Sequence, residues 1–336
     1  MIVTFSVGTS THALPLSPGD RIKVSIPEGE EFNGIYEVNF NGNLEIPYLP
    51  PLPALGLEPE QVQQNLTHIL VDGGFFQPSF LRVSVNIVQW APVEVFVSGT
   101  TFQPGRILIN EPSDIEKNQI PVALTGQYTT KRSITEALQR AGGIKPNADV
   151  QSIQVIRNGQ TRMVNLYGVF SGEPFEDVPL IAGDRVVVPD LGRFNNALVR
   201  PSQITPPGIK VLLSNLTSPS SGNAGSGITK DSTSFAYGSR FSQAVVAANC
   251  AGGTRGTNAG RRAILVSTDP LTGKTKYLER KVEDILRQST SNDDNPFLME
   301  NDAVACYDSK VIQLRDIVDI VGRFFTPLSI LRELFR

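Results

Sequence analysis

From residue 93 onward the chain repeats itself, and this limits its architecture more than any other feature. "VEVFVSGTTFQPG" (93–105) matches "IKVLLSNLTSPSSG" (209–222): an alternating strand, then a turn with proline. "SITEALQRAGG" (133–143) matches "RFSQAVVAANCAGG" (240–253), a short helix stopped at Ala-Gly-Gly, where glycine supplies a left-handed cap; the second helix reads about one turn longer. "VQSIQVIRNGQTRMVNL" (150–166) matches "RRAILVSTDPLTGKTKYLE" (261–279) as strand, turn, strand, and "LIAGDRVVVPD" (180–190) matches "LMENDAVACYDS" (298–309). A period of this size marks two copies of one supersecondary module, strand–helix–hairpin–strand. The linker "LGRFNNALVRPSQITPP" separates them, and "SNLTSPSSGNAGSGITKDSTS" is a low-complexity loop inside the second copy.

Residues 14–91 precede the repeat and have a different pattern. In "LSPGDRIKVSI" a turn through Pro18, Gly19 and Asp20 leads into Ile22, Val24 and Ile26 on one face and Arg21, Lys23 and Ser25 on the other, a half-buried strand. "GIYEVNFNGNLEIPYL" reads as two strands around an Asn41-Gly42 hairpin. "GLEPEQVQQNLTHILVDGG" is a helix with Pro59 in its first turn, an apolar face of Val62, Leu66, Ile69 and Leu70, and Gly73-Gly74 at its end. "PSFLRVSVNIVQW" closes the segment as a strand, giving a small α+β domain. At 336 residues the chain has room for two to four such domains.

Composition narrows the function. Hydrophobic residues at 40% and charged residues at 19% belong to a folded chain, and a net charge of −3 offers nucleic acid no basic footprint. No Gly-rich phosphate loop follows a strand, and His12 and His68 stand far from any candidate nucleophile, so the chain is read as no enzyme, with no cofactor and no metal. Asp293 and Asp294 in "SNDDNP" lack the spacing of a calcium loop and read as a solvated turn; Trp90 reads as a core or interface anchor. Cys250 and Cys306 permit one disulfide or two buried thiols. In the repeat Cys250 ends the second helix and Cys306 lies in the last strand. These are neighbours in a β-grasp-like module, so the reading favours the disulfide, worth ~4 kcal/mol in the chain-entropy model, and with it an oxidising compartment.

The end of the chain, "VIQLRDIVDIVGRFFTPLSILRELFR" (311–336), has helical periodicity beyond a module that is already complete. At about 100° per residue Ile317, Val321, Phe324, Phe325 and Leu328 fall on one broad side, with Arg315, Asp316, Asp319 and Arg323 opposite; Pro327 kinks or splits the helix. Such a helix reaches roughly 35–40 Å, enough to cross a bilayer core. The bland alternative is a helix packed on its own domain. Residues 1–13 read as a leader or extension, with no Lys or Arg before Arg21 and no early cysteine to carry a lipid.

In "LSPGDRIKVSI", "YEVNFNGNLEIPYL", "GLEPEQVQQNL" and "QPSFLRVSV", followed by "VEVFVSG", "ITEALQRAGG" and "GDRVVVP", the chain resembles the Wza-type outer-membrane polysaccharide export family. The resemblance implies an α+β chain: a polysaccharide export domain at 14–91, soluble-ligand-binding β-grasp (SLBB) modules at 92–190 and 209–309, a linker at 191–208, and a C-terminal amphipathic transmembrane helix at 310–336 assembling into an α-helical barrel. It implies an outer-membrane channel (translocon) with porin-like activity, a homo-oligomer (an octamer) with most of its chain in the periplasm. That channel exports capsular or exopolysaccharide, with an inner-membrane polysaccharide co-polymerase or tyrosine kinase as partner. Arg315, Asp316, Asp319 and Arg323 would then line the pore, and Ile317, Val321, Phe324, Phe325 and Leu328 would face lipid. The alternative is a soluble periplasmic glycan-binding or scaffold protein of a polysaccharide secretion system.

Overall fold

Strand β1 (Arg21–Ser25) follows the turn at Asp20 and pairs antiparallel with β2 (Gly34–Glu37) on one side and β5 (Ser84–Gln89) on the other. This is a computed structural model, and it describes residues 14–111, 131–216, 232–251, 260–268, 273–287 and 292–308. It divides into two compact units, Met1–Asn195 and Asn196–Arg336. Both are mixed α+β, with sheets of three, five, five and two strands among the described residues.

In the first unit the alternation of β1 does what period two requires: Ile22 and Val24 are fully buried, Arg21 and Lys23 are exposed. Helix α1 (Pro59–Asp72) covers that inner face with Val62, Leu66 and Leu70. Proline at its first position loses no hydrogen bond there, and Gln61 Oε1 accepts from Glu58 N at 2.9 Å. The Asn41-Gly42 signal behaves differently from the expected hairpin. The turn forms, with Gly42 at φ 81 and Asn39 N donating to Asn43 O at 2.8 Å. The ladder does not propagate: β2 pairs with β1, while β3 (Asn43–Leu44) pairs with β4 (Leu52–Pro53). The Gly42 carbonyl accepts from Ala54 and Leu55, and a Cβ at Gly42 would lie 2.6 Å from Leu55 Cβ, so glycine here admits β4's end rather than a long hairpin.

The rest of the first unit is a five-stranded sheet in the order β7-β6-β10-β8-β9, built from β6 (Val93–Gly99), β7 (Gly105–Ile109), β8 (Ile153–Arg157), β9 (Gln160–Val164) and β10 (Arg185–Val188). Helix α2 (Ile134–Arg140) buries Ile134, Ala137 and Leu138, and a four-residue helix α3 (Gly168–Ser171) follows β9. The central pair β6–β10 is parallel and flanked by antiparallel partners. Val93, Val95 and Val97 of β6 all point inward.

The second unit repeats that order. β12 (Thr233–Ala236), β11 (Gly208–Asn215), β15 (Ala303–Asp308), β13 (Arg261–Thr268) and β14 (Thr275–Lys281) stand side by side in this sequence, with β11–β15 the parallel pair. Helix α4 (Phe241–Ala247) takes the place of α2 and α5 (Val282–Arg287) follows the hairpin. The expected extra turn is absent, since α2 and α4 each have seven residues. Asn249 at φ 55 ends α4 as Gly142 at φ 74 ends α2, because asparagine tolerates the left-handed region nearly as glycine does. The cap bonds match as well: Gly143 N donates to Leu138 O, and Cys250 N donates to Val245 O. Cys250 therefore stands where the first copy has the second glycine of its cap, and it is joined to Cys306 of β15 by a disulfide with the two Cα atoms 5.9 Å apart.

The expected transmembrane helix is corrected to this extent: among the described residues no helix is long and apolar enough to cross a membrane. The longest, α1, has 14 residues and rises only ~21 Å, against a hydrocarbon core of ~30 Å, and its apolar side is taken by its own sheet. The C-terminal stretch, with Arg315, Asp316, Asp319 and Arg323 expected to line a pore and Ile317, Val321, Phe324, Phe325 and Leu328 expected to face lipid, lies outside the described residues.

Candidate functional site

One turn occurs three times, once in each of the three larger sheets. In "SPGD" (17–20), "IAGD" (181–184) and "MEND" (299–302) the last residue is an aspartate whose carboxylate accepts the backbone N–H three residues earlier, at 2.7, 2.9 and 2.8 Å. The third residue is left-handed each time: Gly19 at φ 87, Gly183 at φ 86 and Asn301 at φ 66. Each turn launches an inner strand, β1, β10 or β15. The three aspartates are 0%, 1% and 2% exposed, so each carboxylate must find its neutralising partners inside the protein.

The partners differ. Asp20 meets Arg132: both side chains are fully buried, Arg132 Nη1 donates to Asp20 Oδ2 at 3.0 Å and Nη2 to Oδ1, and Ala91 N completes the carboxylate at 2.7 Å. Arg132 also donates to Ala91 O and lies 5.2 Å from the centre of the Trp90 ring, so Trp90 is an anchor between the export-type segment and the five-stranded sheet of the same unit. Asp184 meets Arg157, which donates from Nε and Nη2 at 2.9 and 2.7 Å. Asp302 has no arginine in the equivalent place. The registers Arg185↔Ile156 and Ala303↔Val266 put Ser267 where the first copy has Arg157, and its hydroxyl donates to Asp302 Oδ1 at 2.6 Å. Burial then pushes the Asp302 carboxyl up to about 6, against the lowering effect of the two hydrogen bonds.

The most concave described surface near the SLBB-type sheet lies along β9. Two open clefts of about 350 Å³ and about 300 Å³ flank it. The first is lined by Arg157, Asn158, Gln160, Thr161 and Arg162 of the β8–β9 hairpin together with the apolar Val155 and Val178. The second is lined by Met163, Asn165, Tyr167, Phe175 and the carboxylates of Glu173 and Glu176. Residues 173–178 form the opposite wall. They are held by Asp177, whose carboxylate accepts from Thr135 N and Oγ1 at the start of α2, and by the bond from Ile134 N to Val178 O. Between them the two clefts present amides, a cation, carboxylates and an exposed aromatic ring, groups able to make exchangeable hydrogen bonds beside an apolar face. Sequence reading missed this groove because its residues look like ordinary hairpin polarity; only the packing of residues 173–178 against β9 turns them into a lined surface.

His68 is an exposed residue of α1, and Asp294 accepts from Arg280 Nε at 2.9 Å in the turn predicted for it. Among the described residues no group of three or more His, Cys, Asp or Glu side chains is placed to hold a metal.

Comparison with known proteins agrees with the order of these parts. Residues 9–88 match the family described as "Polysaccharide biosynthesis/export protein" and residues 122–188 match the SLBB domain. Two curated proteins from Escherichia coli, each named "Polysialic acid transport protein KpsD", are 26% identical to the chain over 175 residues, 52% of this chain and 27% of theirs. The alignment thus spans about a quarter of the length of those relatives. The chain carries a polysaccharide export domain followed by an SLBB domain, a pairing consistent with a non-catalytic role in a polysaccharide export system. The outer-membrane channel expectation, with its porin-like activity, is corrected here. The relatives are named as transport proteins for polysialic acid, and the described helices are spent on their own sheets with none able to span a bilayer.

Proposed function

We propose that this chain is a periplasmic glycan-binding scaffold of a polysaccharide secretion system. The observation that carries the reading is the export match at 9–88 with the SLBB match at 122–188 after it, the second containing both clefts along β9. The relatives named for polysialic acid transport support the same process. The Cys250–Cys306 disulfide supports an oxidising compartment such as the periplasm. In this reading the export domain occupies residues 14–91 and the SLBB modules residues 92–190 and 209–309. The identical strand order of the two five-stranded sheets supports the second module as a β-grasp copy of the first. The partners are the polysaccharide, further copies of the chain, and an inner-membrane polysaccharide co-polymerase or tyrosine kinase that delivers the polymer.

Mechanistically the scaffold holds a hydrated polymer by replacing part of its water shell with amide and charged groups, without chemistry on the glycan. Osmotic-shock fractionation of the producing cell together with quantification of surface polysaccharide in a deletion strain tests the reading. The expected result is release with periplasmic contents and loss of surface polymer in the deletion. Unchanged surface polysaccharide would sink it.

A further inference from the structure

The two clefts along β9 meet at one ion pair. Arg162 lines the first cleft, Glu176 lines the second, and Arg162 Nη2 donates to Glu176 Oε1 at 2.5 Å. Both side chains are more than half exposed, at 55% and 63%. The other arginine of the groove is held quite differently. Arg157 makes two bonds to the buried Asp184 and a third to Pro179 O, so its charge is already neutralised inside the fold.

These two arginines therefore differ in what they can offer a ligand. Removing Arg157 from Asp184 would leave a buried carboxylate without its cation, a strongly unfavourable exchange. Separating Arg162 from Glu176 exposes two groups that are already wet, and an exposed pair of this kind contributes about 0–1 kcal/mol. The bond to Glu176 also engages one of the five N–H donors of the guanidinium, which is shaped to take a carboxylate in a forked pair. Tyr167, 38% exposed, lines the second cleft together with Glu176 and offers a face on which a sugar ring can rest.

We propose that Arg162 selects acidic sugars in this groove, with Glu176 as the resident carboxylate that a saccharide carboxylate displaces, and Tyr167 as the platform for the adjoining ring. This rests on the glycan-binding reading and adds the ligand's chemical class and the residue that recognises it. Glu176 biases the site toward acidic sugars, because a neutral sugar gives back only a hydroxyl for the carboxylate it displaces, whereas an acidic one exchanges carboxylate for carboxylate.

The test is calorimetric titration of the full chain with a short oligomer of a hexuronic acid and with its carboxyl-reduced, neutral form, at low ionic strength. The acidic oligomer is expected to bind more tightly than the neutral one. In Glu176→Gln the acidic oligomer should tighten by about 2- to 5-fold, the equivalent of releasing an exposed ion pair. In Arg162→Gln its preference over the neutral form should fall roughly tenfold, the worth of a hydrogen bond to a charged group. Both positions are exposed, and an unchanged circular dichroism spectrum and melting temperature confirm that each variant folds. Equal binding of the two oligomers, or a preference that survives Arg162→Gln, overturns the selector and leaves glycan binding standing. Failure of both oligomers to bind overturns the glycan-binding reading and the selector with it.

Discussion

Three aspartates in one kind of turn show how a single residue's surroundings decide its consequence. Asp20 and Asp184 are each met by an arginine, whereas Asp302 is met by a serine hydroxyl because Ser267 stands at the Arg157 position. Its folded-state pKa of about 6 lies above the ordinary 3.8, so between these values the folded chain binds a proton that the unfolded chain does not. Stability is therefore greatest below about pH 4 as far as this group is concerned, and it is lost as pH rises to about 6. Two units at ~1.4 kcal/mol each amount to roughly 3 kcal/mol. Asp302→Asn keeps an acceptor for Met299 N and carries no charge. The variant is expected to be more stable than the parent at pH 7, with the difference vanishing near pH 4, in thermal unfolding followed across that range. A variant less stable at pH 7 would show that the charged form is the favoured one. The aspartates of "SPGD", "IAGD" and "MEND" are plain in the sequence. Their different partners are not, since Arg132 is 112 residues from Asp20 and Ser267 is 35 from Asp302.

At the scale of elements, what was legible was periodicity. The inner and outer faces of β1 and β6, and the apolar face of α1, follow from period two and period 3.6 because burial acts on side chains one at a time. Ends and pairings were harder to read. The Ala-Gly-Gly match between the two helices suggested one cap, but the fold uses Asn249, and the Gly-Gly that follows lies outside the described residues. A similar substitution occurs at the strand before the helix. Gly99 ends β6 at φ 87, where a Cβ would come within 2.1 Å of Val188 O, whereas Asn215 at the matching register donates its side-chain amide to Ala248 O and Asn249 O at the end of α4. One copy solves the junction by removing a side chain and the other by using one as a cap. The junction between the export-type sheet and α2 rests on the buried Asp20–Arg132 pair. Arg132→Ala leaves that carboxylate without its cation and is expected to destabilise the first unit by about 3–5 kcal/mol in urea unfolding. Trp90 is the single tryptophan of the chain and lies against Arg132, so its fluorescence reports the change directly. A loss under about 1 kcal/mol would mean the pair is dispensable.

For the molecule as a whole, the division into two units gives the disulfide a local effect. Cys250 and Cys306 are 56 residues apart and both belong to the second unit. Reduction, or Cys250→Ser with Cys306→Ser, is expected to cost that unit about 4 kcal/mol by restoring freedom to its unfolded chain. In calorimetry one transition should move down in temperature while the other keeps its place. A shift of both together would mean that the units unfold as one. The repeat, the alternation of its strands and the α+β class were determined by the sequence alone, because each is written in the spacing of apolar residues and glycines along the chain. Which arginine neutralises which buried aspartate, that asparagine can do the work of glycine at Asn249 and Asn301, and that residues 173–178 make a groove of the β9 edge were decided only in the tertiary structure. Those outcomes depend on groups far apart in sequence meeting in a water-poor interior or along a shared wall, where distance and burial, not spacing, set the energy.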